Sequence, residues 1–108
     1  MADTEILPAP VPLTSDPEAV PERGWKVILH NDDIHAFLVV ILALQRAAGL
    51  SLEVAEMVAF EAHTEGLAIV KRGLTEDDAK IICGGLRKWT RIEGVTPGVD
   101  CEALPDDD

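Results

Sequence analysis

The eleven residues from Trp25 to His35 (WKVILHNDDIH) constrain the fold of this chain more than any other stretch. Val27-Ile28-Leu29 has the length and β-branched content of a short, mostly buried strand. It ends abruptly in a polar knot of two His, one Asn and two Asp. Asn and Asp hydrogen-bond to neighbouring backbone and favour turns, so the strand stops there. A long apolar stretch, Ala36 to Ala48, follows. Strand, polar loop and helix in that order put polar groups at a strand end, where α/β folds commonly bind ligands. Any binding site in this chain is expected at that junction.

With 108 residues the chain can build one core but not two. Its net charge of −11 is uneven. Residues 1–24 carry five acids and one base, and residues 93–108 carry six acids and no base. Residues 25–92, with nine acids against eight bases, are nearly neutral. No basic face is available to displace counterions, which argues against a nucleic-acid partner. Cys83 and Cys101 have neither metal-site spacing nor the density of a disulfide scaffold, so a reduced, cytoplasmic setting is the simplest reading. No basic segment leads into an apolar signal region. The longest apolar run, Ala36 to Leu44, is too short to cross a bilayer, so no membrane partner is expected.

Residues 1–24 hold Pro8, Pro10, Pro12, Pro17 and Pro21 and read as an extended, disordered acidic tail. A folded core is expected over 25–104, with an acidic C-terminal tail at 105–108. Its first strand runs from Trp25 to about Leu29. Length favours a helix over Ala36 to Ala48, closed by Gly49. Ser51 stands where a helix N-cap belongs, and a second helix runs to about Thr64. Leu52, Ala55, Val58, Ala59 and Ala62 line one side of it, and Gly66 closes it. Leu67 to Val70 reads as a second strand, ended by Lys71-Arg72-Gly73. Thr75 and Asp78 form a capping-box pattern that opens a third helix through about Trp89. Gly84-Gly85 within it costs helix propensity and suggests close packing against another element. Pro97-Gly98 is a turn and Val99 to Leu104 a last strand. The order is βααβαβ: an α+β sandwich with three strands and three helices.

His30, Asp32, Asp33, His35 and His63 are residue types that ligate divalent metals. No helical His-x-x-x-His signature accompanies them, so neither a metal site nor a cofactor is expected. Ser15 and Ser51 have tail or cap explanations, and neither Cys lies in an active-site motif, so no catalytic residue stands out.

Lys26-Val27-Ile28-Leu29 followed by Asn31-Asp32-Asp33, then His63-x-x-Gly66 with Ala68-Ile69, resembles the ClpS family, adaptors of the N-degron pathway. The likeness runs without a gap from Trp25 to about Val70 and more weakly to Pro97 and Cys101. It implies a fold shared with the C-terminal domain of the ribosomal stalk protein: three antiparallel strands packed against three helices. It also implies a non-enzymatic function, in which the N-terminal residue of a substrate is bound and the substrate is passed to the unfoldase ClpA or ClpC.

The resemblance assigns the substrate's free amine to Asn31, Asp33 and His63. An α-amino group titrates at about 7.7–8.0 and is largely ammonium at neutral pH. It offers three donors and no acceptor, so its site must present acceptors and negative potential. The residue's side chain then enters an apolar hole walled, by the same resemblance, by Asp32, His35, Phe37, Val40, Ala59 and Ala62. Burying a Leu or Phe there stabilises by about 1.5–3 kcal/mol.

The departures from the family pattern shape the expectations. After Asn-Asp-Asp the family usually has an aromatic residue, Thr, Pro and Met, and here stand Ile34, His35, Ala36 and Phe37. Ala59 and Ala62 replace a Met and a Val, two smaller walls against one larger. A deeper hole that prefers aromatic N-termini to Leu is expected, with Phe37 either filling it or standing over its mouth. A docking patch on the third helix is replaced by Lys80-Ile81-Ile82. Leu38 and Leu42 stand where the family commonly has acids, so they either pack into the core or form an exposed apolar strip. Two alternatives remain: an interaction module of this fold without the amine site, and a small metal-dependent enzyme using His30, Asp32, His35 and His63.

Overall fold

A computed structural model describes residues 24–106. The sequence-level expectation of a tail over 1–24 lies, apart from Gly24, outside these described residues. The elements are β1 (Trp25–His30), α1 (Phe37–Ala48), α2 (Leu52–Glu65), β2 (Leu67–Leu74), α3 (Glu76–Thr90) and β3 (Cys101–Pro105). The order is the predicted βααβαβ. The strands form one antiparallel sheet in the order β2-β1-β3, so β1 is central and is hydrogen-bonded on both sides.

Alternation along β1 turns Val27 and Leu29 into the core, where both are fully buried. Ala68 and Val70 of β2 and Cys101 of β3 join them under the helices. Each helix closes the core with one apolar stripe: Ile41, Ala43, Leu44 and Ala48 from α1, Ala55, Val58, Ala59 and Ala62 from α2, and Ala79, Ile82, Cys83 and Leu86 from α3. Leu52, the first residue of α2, leaves the predicted stripe and is half exposed. Leu38 (76% exposed) and Leu42 (43%) stay outside, so α1 carries an apolar strip on its outer face.

The caps follow the sequence. Ser51 accepts a hydrogen bond from the Val54 amide and Thr75 from the Asp78 amide, each satisfying an N-terminal donor. Gly49 and Gly66 end α1 and α2 in left-handed conformation. Of the glycine pair in α3, only Gly85 meets a neighbour. A Cβ there would lie 3.0 Å from Ala47 Cβ, whereas one at Gly84 would point into open space.

Two strands shifted: β3 starts at Cys101 and not at Val99, and both β2 and β3 run further than expected. β2 continues through Lys71-Arg72-Gly73 to Leu74: Lys71 pairs with Val27 and Leu74 with Trp25 across an irregularity in the register, and Lys71 Nζ reaches the Ala48 carbonyl at the end of α1. At the other end Pro105, placed in the acidic tail by the sequence, is the last residue of β3, opposite Trp25. Asp106 is buried: its amide donates to the Gly24 carbonyl, and its carboxylate lies 3.0 Å from Arg72 Nε and 3.6 Å from Lys26 Nζ. Pairing with two cations explains why an acid from an acidic run turns inward. Cys83 and Cys101, far apart in sequence, are buried free thiols with their sulfurs 2.9 Å apart, and burial pushes the Cys101 thiol up to about 12.

Candidate functional site

The polar knot sits at the end of β1, held on both sides. The His30 amide donates to the Asp100 carbonyl at 2.8 Å, and the Asn31 amide to the Gly66 carbonyl at 2.9 Å. Gly66 is the left-handed cap of α2, so Asn31 is brought beside the last turn of that helix, which carries His63. The loop then folds on Asp32: one carboxylate oxygen accepts from the amides of Ile34 (2.6 Å) and His35 (3.1 Å), an Asx turn that leads into α1. The other oxygen lies 2.5 Å from His35 Nδ1. Burial by itself would raise the Asp32 pKa, but the bonds from Ile34 and His35 outweigh it and lower the value below the ordinary carboxylate range.

A cavity of about 460 Å³ opens between this loop, the first turn of α1 and the second half of α2. Asn31, Asp33 and His63, assigned to the amine by resemblance, line it and are exposed. So do the six residues assigned to its wall: Asp32, His35, Phe37, Val40, Ala59 and Ala62. All nine residues are therefore brought to one cavity. Their surroundings differ. Ala59 and Ala62 are buried, on one face of α2, and Val40 is half-buried on α1. Phe37 is 44% exposed, which fits a ring at the mouth and not one plugging the interior. The His35 side chain is fully buried and bonded, a structural member of the wall.

Two further lining residues, Leu29 and Val99, escaped the sequence reading, and His30, a member of the polar knot, lines the cavity although it was not assigned to the pocket. Leu29 immediately precedes the knot and faces inward by strand alternation, a signal that was available. Val99 reaches the wall as Thr90 Oγ1 accepts a bond from its amide at 2.9 Å, a contact across nine residues that the sequence does not signal. Among the described residues no group of three or more His, Cys, Asp or Glu is arranged to hold a metal ion. The His30 ring instead lies 2.9 Å from Glu102 Oε1. No helix among the described residues is long and apolar enough to cross a membrane.

Fold and site together define a small α+β module whose central strand ends in one apolar cavity with a polar, acceptor-rich rim. The family described as "ATP-dependent Clp protease adaptor protein ClpS" matches residues 20–98, and the chain belongs to the ClpS family. It is similar in structure to Agrobacterium tumefaciens ClpS2 solved with L-phenylalaninamide, with a TM-score of 0.62 and 26% sequence identity. That likeness covers 76% of this chain and 95% of the other. No curated protein matches the sequence.

Proposed function

We propose that this protein binds the free N-terminal residue of substrate polypeptides, with a bulky apolar side chain, and delivers them to a Clp AAA+ unfoldase of the ClpA or ClpC type in the cytoplasm. One observation carries the reading: an apolar cavity whose rim bears three polar side chains of the kinds an ammonium needs. Asn31 offers an amide oxygen, Asp33 a carboxylate and His63 a ring nitrogen, and all three border the same opening. They can receive the three donors of an α-ammonium, a recognition mode that pairs a charged terminus with fixed acceptors. Behind them, Leu29, Val40, Ala59, Ala62 and Val99 supply apolar walls. The volume of about 460 Å³ lies within the range of small-ligand pockets and accommodates an aromatic side chain or Leu. The ClpS2 structure, which carries a phenylalanine amide, supports the same chemistry here.

The test is fluorescence anisotropy with peptides of free N-terminal Phe, Leu, Tyr or Trp and their acetylated twins. The free peptides bind at micromolar affinity or better, and acetylation abolishes most of it by removing the charge and two donors. Asn31→Ala, Asp33→Ala and His63→Ala each cost about 1–3 kcal/mol of binding, the usual effect of unpairing a desolvated polar group. Equal affinity for free and acetylated peptides refutes the proposal. Delivery is a separate step, read as faster degradation of a substrate with N-terminal Phe when the protein is added to unfoldase and protease.

A further inference from the structure

The loop that carries Asn31 and Asp33 is tied to the rest of the molecule through the ring of His35, which is completely shielded from solvent. Its Nε2 lies 2.6 Å from the Thr90 backbone carbonyl, which can only accept, so this nitrogen carries a proton. Its Nδ1 faces Asp32 Oδ2 at 2.5 Å. The other oxygen of that carboxylate already takes two amide donors, as an ionised group does. Two acceptors on opposite edges of one ring require two N–H donors, and only the doubly protonated imidazolium has both. Thr90 ends α3, where helix carbonyls concentrate partial negative charge and favour a cation. The anchor is itself fixed: Thr90 Oγ1 donates to the Leu86 carbonyl and accepts from the Val99 amide.

We propose that His35, as an imidazolium, is a positioning residue that latches the binding loop to the end of α3 and makes capture of an N-terminus depend on its proton. The inference rests on the function proposed above. When the ring loses a proton it keeps one donor, so it releases either Asp32 or Thr90. Either loss frees the segment bearing Asn31 and Asp33 from the helix. The charged and titratable groups that share the cavity with the ring or flank its anchor are Asp32, Asp33, His30 and His63, which line the cavity, and Arg87 and Arg91, on either side of Thr90 in the chain. Of these, Asp32 bonds the ring, while His30 pairs with Glu102 and Arg87 donates to the Cys101 carbonyl.

The test uses the full chain and two readouts. Heteronuclear NMR of the histidine ring nitrogens reports whether both carry protons at neutral pH. Anisotropy with a peptide of N-terminal Phe is followed from about pH 6 to about pH 9, the range in which a histidine and an α-amine titrate. Both His35 ring nitrogens are expected to be protonated at neutral pH. The wild-type affinity is expected to fall in one step that coincides with loss of one ring proton and in another that belongs to the peptide amine. His35→Gln is expected to bind about tenfold more weakly at the acid end, the cost of one charge-assisted bond, and to lack the ring-proton step. Asp32→Asn, which keeps an acceptor but removes the charge, is expected to move that step to lower pH, and serves if His35→Gln does not fold. A neutral His35 ring at neutral pH, or a wild-type pH profile in both variants, overturns the inference. If no free-amine peptide binds at any pH, the N-terminus reading fails, and the inference, which needs a captured N-terminus, falls with it. Binding with an unshifted profile sinks the latch alone.

Discussion

Ala59→Met tests how the cavity selects a side chain. Ala59 is buried on the α2 face that lines the cavity, beside Ala62 and one turn before His63. A Met side chain added there, on a buried wall of the cavity, takes up part of the space of about 460 Å³. An N-terminal Phe or Trp gains about 1.5–3 kcal/mol from full burial, and displacing it part-way forfeits about 1–2 kcal/mol of that. The corresponding loss of affinity is about 5- to 30-fold. Leu is shorter and reaches less deeply, so its affinity changes little. The assay is anisotropy with Phe, Trp and Leu peptides, each with an acetylated control, and thermal unfolding of the variant to verify that the larger side chain is accommodated. Equal weakening of Phe and Leu, or no change in either, refutes the view that position 59 sets the depth of the hole.

Two glycines respond oppositely to Ala. Gly84→Ala adds a methyl group in open space and raises stability by about 1 kcal/mol. Gly98→Ala sits at φ +126° with its new Cβ 2.6 Å from the Arg87 carbonyl oxygen, and costs about 2 kcal/mol or more in urea unfolding. Asp106→Ala removes the partner of Arg72 and leaves the largely buried Lys26 unpaired. It lowers stability by about 1 kcal/mol, the low end for such a loss because Arg72 is half exposed, and the deficit shrinks in high salt. Asp32, whose folded pKa lies below the ordinary 3.8, contributes stability in full above that value and loses it as pH falls through the lowered one. Urea midpoints measured down the acid limb should therefore fall less steeply for Asp32→Asn than for the wild type.

Local chemistry determined the elements and the location of the site. Ser51 and Thr75 cap helices because a side-chain oxygen three residues before a free amide satisfies it wherever the chain goes next. Asp32 folds its loop for the same reason, and the change from Val27-Ile28-Leu29 to Asn31-Asp32-Asp33 marked the strand end at which the cavity lies. The nine residues that the family resemblance assigns to the amine and its pocket line that cavity.

Partners distant along the chain were decided only in three dimensions. Asp106 looked like one more acid in an acidic run until β3 brought it between Lys26 and Arg72. Lys71-Arg72-Gly73 looked like the end of a strand until pairing with β1 carried it on to Leu74. His35 read as a pocket wall, yet its ring is held by the carbonyl of Thr90, 55 residues away. Leu38 and Leu42 had two equal readings because the unbroken apolar run Phe37–Leu44 has no periodicity to show which face is buried. The core took Ile41 and Leu44 and left both of them outside. Caps and turns are settled by neighbours in sequence, whereas burial and charge pairing depend on which segments the fold brings together.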